Sequence, residues 1–269
     1  MMPRVLVDGQ ASDRVAALDR GLGYGDGLFE TIRFAGAEAP LWARHMQRLD
    51  EGCRRLRLPM PDPAVLLAEA RTASQGMDHA VVRITLTRGS GARGYAPPAQ
   101  PRPTRIVAAF EPPPFDGPAQ SGGIRVRLCA LRLAPQPLLA GLKHLNRLEQ
   151  VLARAEWDDP AIAEGLLCDT GGLAICATAA NLFAVYAGKL TTPALDRCGV
   201  AGVARAEILA ARPQAQVRPI PLAELRRADE LFLSSSVRGI LPVRELDGHA
   251  FAVGPVTRAL QAHWRALGF

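Results

Sequence analysis

The sequence predicts a mixed α/β or α+β fold in two lobes, and three observations predict it. Stretches alternating with period two and stretches with apolar residues three and four apart occur in both halves of the chain. They do not alternate regularly with one another, which excludes a doubly wound nucleotide fold. Between the halves lies "FEPPPFDGPAQSGG" at 110–123, where proline and glycine crowd as they do in a domain connection. The reading is an N-terminal lobe over 1–112, a linker over 113–123 and a C-terminal lobe over 124–269. At 269 residues the chain is long enough for two real cores.

Each element has its own warrant. "RVLV" reads as a strand that ends in an Asp-Gly turn. "DRGLGYGDG" is a glycine-rich loop, and it precedes a strand, "LFETIRFAG", rather than a helix, so a dinucleotide-binding reading fails. Helical spacing runs from Trp42 to Arg57 and from Pro63 to Ser74, and the strands "HAVVRITLTRG" and "TRIVAAFE" close this half. Past the linker, "GIRVRLCALRLA" alternates as a strand. In "GLKHLNRLEQVLAR", Leu145, Leu148, Val151 and Leu152 mark the apolar face of a helix with Lys143 at its mouth. "GLLCDTGGLAI" and "AANLFAVYAGKLTTP" read as hairpins, "GVARAEILAARP" as a short helix entered through glycines, and "ADELFLSSSVRGILPVREL" as two strands about a polar turn.

Bulk properties narrow the function. Apolar residues make up 48% and charged residues 22%, which is ordinary for a soluble globular protein. No run reaches the length of a membrane span and the N-terminus lacks a signal-peptide layout, so the expected location is the cytoplasm. Five scattered cysteines without a CxxC pair, and five histidines without an HExxH pair, suggest neither a disulfide framework nor a metal site. The net charge of +6 suits an anionic small molecule better than nucleic acid, because aromatic residues are only 5% and the arginines are dispersed.

A lysine at a helix start is usually an ordinary solvated side chain. There it also faces the positive end of the helix dipole, which pushes an amine towards its neutral, nucleophilic form. Arg44 and Arg48 lie four apart on one helix, a repulsive pair unless an anion relieves it. Arg44 reads as solvated, whereas Arg48 flanks the apolar stripe of Met46, Leu49, Cys53 and Leu56. "CGVAGVAR" opens a helix through Gly199 and Gly202, leaving backbone N–H groups at Val203 and Ala204 for an anion or simply making a tight turn. Arg88, Arg93 and Tyr95 share the glycine-rich turn "TRGSGARGY", which is either a basic hairpin tip or a carboxylate-binding loop.

Taken in order, "DRGLGYGDGLFETIR", "RHMQRL", "TRGSGARGY", "GLKHLNRLEQVLAR" and "AANLF" resemble the fold-type IV pyridoxal-phosphate family. That family includes branched-chain aminotransferases, D-amino acid aminotransferases and aminodeoxychorismate lyases, and "LKHLNRLEQ" is most similar to the lyase branch. The resemblance implies a two-lobed fold with pyridoxal 5'-phosphate in the cleft between lobes, and a homodimer. It implies that Lys143 holds the cofactor covalently, and that Arg48, Gly202, Val203, Ala204, Ser235 and Ser236 hold its phosphate. It further implies an elimination on 4-amino-4-deoxychorismate, a small anionic amine, giving 4-aminobenzoate and pyruvate for folate synthesis. Arg88, Arg93 and Tyr95 are candidates for the substrate carboxylates. An aminotransferase of the same fold is the alternative.

The pattern breaks at one position. Relatives place a glutamate five residues before the asparagine of "AANLF", to pair with the pyridine nitrogen, and here that position is Cys176. Three readings stay open: the ring nitrogen is left neutral, Glu164 or Glu30 substitutes, or the activity is altered or lost.

Overall fold

The structure is a computed structural model, and it describes residues 4–113 and 117–269. The chain divides into two compact units, the first comprising Met1–Pro113 with Leu142–Asn146, the second Pro114–Gly141 with Arg147–Phe269. The expected linker was 113–123; of it, residues 114–116 lie outside the described residues and Pro118–Gly122 forms a short helix. Lys143, expected in the C-terminal lobe, belongs to the first unit.

The first unit contains β1 (Arg4–Val7), β2 (Gln10–Ala11), α1 (Arg20–Tyr24), β3 (Gly27–Ala35), α2 (Trp42–Leu56), α3 (Pro63–Ala73), β4 (His79–Thr87) and β5 (Arg105–Phe110). Its strands form one antiparallel sheet in the order β2-β1-β5-β4-β3. Ile32 and Phe34 of β3, Val82, Ile84 and Leu86 of β4, and Val107 of β5 meet Met46, Leu49 and Cys53 of α2 and Leu66, Ala70 and Ala73 of α3 in one core. The glycine-rich segment, expected as a loop, carries helix α1, because the Asp19 carboxylate accepts the Gly21 N–H and caps it.

The second unit runs through α4 (Pro118–Gly122), β6 (Ile124–Leu133), α5 (Leu148–Arg154), β7 (Ile162–Asp169), β8 (Ala174–Ala177), β9 (Asn181–Tyr186), β10 (Lys189–Pro193) and α6 (Val203–Ala211). It ends with β11 (Gln216–Arg218), α7 (Leu222–Leu225), β12 (Glu230–Ser235), β13 (Gly239–Leu246), β14 (His249–Ala250) and α8 (Pro255–Ala266). Its sheet runs β11-β10-β9-β12-β13-β6-β7-β8 and closes on itself where β8 pairs with β9 through Cys176 and Asn181. One core holds Val126, Leu166, Ala177, Leu182, Leu231, Leu233 and Val243. A second, on the other face of β7 and β8, holds Leu133, Ala153, Trp157, Leu167, Ile175, Cys176 and Cys198. Among the described residues no helix is long and apolar enough to cross a membrane.

Two expectations are corrected around α5. The helix begins at Leu148, so Lys143 is not at its mouth and the dipole argument does not apply to it. The apolar stripe, whose spacing implies a face against the core, is exposed at three of its four residues: Leu148 is 75% exposed, Leu152 60% and Val151 59%. The helix is instead seated by Ala153, which is fully buried beside Trp157.

Candidate functional site

Lys143 lies in an extended segment that pairs with the β3 edge. The Phe29 N–H donates to the Lys143 carbonyl at 3.0 Å and the Leu145 N–H to the Gly27 carbonyl at 3.0 Å, with His144 opposite Leu28. Close approach requires glycine at 27, since a Cβ there would stand 2.4 Å from the Leu86 carbonyl oxygen and 2.8 Å from Leu145 Cδ1. Two backbone bonds therefore fix the lysine's backbone, and its Nζ rests 4.1 Å from the centre of the Phe29 ring.

Beside it in the same unit stands a buried charge cluster. The Arg48 guanidinium grips Glu30 with both arms, Nε to Oε1 at 2.8 Å and Nη2 to Oε2 at 2.5 Å, while His45 Nδ1 lies 2.6 Å from Oε2. Burial opposes ionisation of Glu30, but Arg48 and His45 outweigh it and hold the carboxyl down at about 2. Burial pushes His45 below its ordinary value despite the Glu30 carboxylate, and the Arg48 and Lys143 charges push it the same way. Arg48 is thus held in one orientation by a fork-on-fork pair. His45 and Arg48 sit three apart on α2, and that spacing was the readable signal for a shared partner.

Arg88, Arg93 and Tyr95 have different surroundings. Every nitrogen of the Arg88 guanidinium is engaged inside the unit: Nε to Asp26 at 2.8 Å, Nη1 to the Arg57 carbonyl at 2.9 Å and Nη2 to the Leu56 carbonyl at 2.8 Å. At 6% exposure Arg88 fixes the end of α2, which removes it as a carboxylate ligand. Its neighbour Arg20, missed in the sequence, shares Asp26 and reaches the carbonyls of Gly94, Tyr95 and Ala96. The loop so tied presents Arg93 and Tyr95 to solvent, with Tyr95 86% exposed and its ring 5.4 Å from that of Tyr24.

In the second unit a row of side chains crosses the seam of the closed sheet. Cys176 pairs with Asn181 and Asn181 with Ser234, so directly opposed residues share one face. Asn181 then pins the entry to α6: its Oδ1 accepts the Gly202 N–H at 3.0 Å and its Nδ2 donates to the Val200 carbonyl at 2.8 Å. Gly202 is obligatory, because a Cβ would stand 2.0 Å from Asn181 Oδ1. No side chain caps α6, which leaves the N–H groups of Val203 and Ala204 pointing out of the helix mouth. The buried Ser234 hydroxyl finds no partner among the described residues. Uncapped N–H groups and an orphaned hydroxyl on one face make a cradle for an anion such as a phosphate. Ser235 ends β12 and its hydroxyl accepts the Arg238 N–H at 3.0 Å, with Ser236 next in the same turn.

Cys176 is 6% exposed, and burial together with Cys198 pushes its thiol up to about 12 against the pull of Arg147. Neither reserve carboxylate is free. Glu30 is bound by Arg48 and His45, and Glu164 by the Thr178 hydroxyl at 2.5 Å and by Arg238. Arg238 and Ser234 were not singled out in the sequence, and no local signal marks them: Ser234 owes its place to strand pairing and Arg238 to the turn between β12 and β13.

The family described as Amino-transferase class IV matches residues 27–246. An aminodeoxychorismate lyase from Vibrio harveyi is 35% identical over 265 residues, covering 96% of this chain and 98% of its own. The crystal structure of 4-amino-4-deoxychorismate lyase from Pseudomonas aeruginosa is similar with a TM-score of 0.92 at 47% identity, covering 97% of this chain and 98% of that one. The branched-chain aminotransferase of Escherichia coli is 30% identical, covering 92% of this chain and 86% of its own. A crystal structure of that aminotransferase gives a TM-score of 0.85 at 27% identity, over 98% and 94% of the two chains. A family match across most of the chain and a near full-length relative at 35% identity make this protein a member of the class IV aminotransferase family, whose enzymes use pyridoxal phosphate.

Proposed function

We propose that the chain is a pyridoxal-phosphate-dependent lyase that converts 4-amino-4-deoxychorismate to 4-aminobenzoate and pyruvate. The observation that carries this reading over aminotransfer is the greater identity to lyases, 35% and 47%, than to the branched-chain enzyme, 30% and 27%. When bound, the cofactor supplies an electron sink for the carbon that bears the substrate amine. Lys143 would hold the cofactor through its amine, yield it to the substrate amine, and take it back as 4-aminobenzoate leaves. In between, the freed amine of Lys143 accepts the proton of that carbon, and Phe29 beneath it limits where the amine can swing. The bond from the ring to the enolpyruvyl oxygen breaks with its electron pair on oxygen. The ring becomes aromatic, and the released enol takes up a proton to give pyruvate.

The N–H groups of Val203 and Ala204, the Gly202 entry, Arg48, Ser235 and Ser236 are the groups we assign to the phosphate. Glu30 and His45 keep Arg48 in its orientation. Arg93 and Tyr95 remain the carboxylate-binding candidates on the loop tied by Arg20. We also assign a homodimer, supported by the outward apolar face of α5, and a reducing cytoplasm, supported by five free cysteines.

The test is an assay of purified protein loaded with pyridoxal phosphate on 4-amino-4-deoxychorismate, following aminobenzoate by fluorescence and pyruvate by a coupled dehydrogenase. Equal yields of both, absent in Lys143→Ala, support the reading. Turnover of branched-chain amino acids with 2-oxoglutarate, and none of the chorismate derivative, would replace it with aminotransfer.

A further inference from the structure

We infer that Cys176 sets reaction specificity, presenting a thiol where the cofactor's ring nitrogen would be held, so that the nitrogen stays uncharged and elimination is favoured over aminotransfer. This rests on the assignment of the cofactor just made, and it adds the charge state of the ring and what that charge selects.

The geometry is that of the seam in the second unit. Cys176 is paired with Asn181, the residue that pins Gly202 at the mouth of α6. Cys176 and Asn181 stand on the same face about one strand spacing apart, roughly 4.8 Å, so the thiol and the α6 mouth belong to one surface. Gly199 of the α6 entry loop closes over the thiol, a Cβ there standing 4.0 Å from Sγ.

Among the described residues, Cys198, Arg147, Glu164 and Glu149 are the groups that bear most on this thiol. Cys198 shares the buried cluster with it, and its own thiol is pushed up by burial to about 11. Arg147, at the entry to α5, puts a positive charge within electrostatic reach of Cys176. Glu149 accepts the Ala134 N–H at 3.1 Å. Glu164 faces from β7, and its two oxygens are taken by Thr178 and Arg238. The Asn181 amide is engaged at both ends, on Gly202 and Val200. A ring nitrogen at this position would meet a protonated thiol with the Arg147 charge in electrostatic reach, while Glu164, the carboxylate on β7, has both oxygens taken. Protonation there would place a positive charge in a buried site that the Arg147 charge already reaches electrostatically.

The consequence is selective. Aminotransfer must reprotonate the cofactor itself and run a second half-reaction, so it needs the strongest electron sink. Elimination that ends in an aromatic ring has its driving force in the product and tolerates a weaker one. A neutral ring therefore suppresses the side reaction more than the elimination.

The experiment loads the protein with pyridoxal phosphate labelled with 15N in the ring. Borohydride reduction and peptide mapping first locate the adduct. The 15N resonance is then recorded for the wild type, Cys176→Ala and Cys176→Glu across neutral pH. The expected result is an unprotonated resonance in the wild type and in Cys176→Ala, and a protonated one in Cys176→Glu, where the new carboxylate would stabilise the proton. The ratio of aminotransfer to elimination should rise at least about tenfold in Cys176→Glu alone. A protonated nitrogen in the wild type, on an adduct mapped to Lys143, overturns this inference and leaves the proposed function standing. No adduct at Lys143 overturns both. If Cys176→Glu does not fold, the wild-type and Cys176→Ala resonances still decide the charge state.

Discussion

Replacing Glu30 by glutamine keeps the shape of the side chain and removes the charge that Arg48 and His45 share. The carboxylate is 1% exposed and takes three contacts between 2.5 and 2.8 Å, so water cannot replace what is lost. Its fall from 4.5 to about 2 on folding corresponds to about 3 kcal/mol of stability at neutral pH. Severing a buried pair and leaving one charge behind costs about 3–5 kcal/mol, so the two routes to the number agree. The sign follows from a depressed carboxyl: the contribution is complete above 4.5 and is lost as pH falls through about 2. It should still be about 2 kcal/mol near pH 3.5. Urea unfolding of the wild type and Glu30→Gln, from neutral pH down to about 3.5, gives the gap directly. A gap near 3 kcal/mol that narrows in acid is expected. A gap that stays constant with pH, or one under about 1 kcal/mol at neutral pH, would refute the account of a shared buried charge.

Arg88→Ala should lower stability by about 3 kcal/mol, read as a shift in urea midpoint, because it strips Asp26 of one cation and frees the carbonyls that end α2. Gly202→Ala should weaken pyridoxal phosphate binding by about tenfold or more in a fluorescence titration, since the added Cβ displaces Asn181 and with it the α6 mouth; unchanged affinity would remove the phosphate from that mouth. Lys143→Ala should give no borohydride-fixed adduct in the peptide map. Leu148→Asp together with Leu152→Asp should shift the sedimentation coefficient from dimer to monomer if α5 is the joint between copies.

Much of the fold could be read locally. The helix predicted over Trp42–Arg57 is found over Trp42–Leu56, and the alternating strands fall where their period placed them, because burial on one face dictates both patterns. What failed was nonlocal. Leu148, Val151 and Leu152 have the spacing of a buried face, but spacing reports that a helix has two sides and not what covers them. Lys143 was placed at a helix mouth because its true partner, the β3 edge, lies far earlier in the chain. Arg88 and Arg93 look alike in "TRGSGARGY", yet one turns inward to the carbonyls of α2 and the other outward, and only the folded backbone separates them. The role of Arg48 rests on family likeness; its partner Glu30 depends on a strand's facing direction, which the sequence left undetermined.

The lysine segment has a consequence for how the chain is made. β3 is the last strand of its sheet, and part of its open edge is closed by Leu142–Asn146, residues that arrive only after the first strand of the second unit has been synthesised. During translation the first unit must therefore wait with an unpaired edge, the kind of surface on which nascent chains pair wrongly. A fragment ending at Pro113 would keep its core yet lack that closing segment, and a peptide spanning 142–146 would be its natural complement. The segment that closes this edge is the one that carries Lys143, so edge cover and the placing of that amine are a single event.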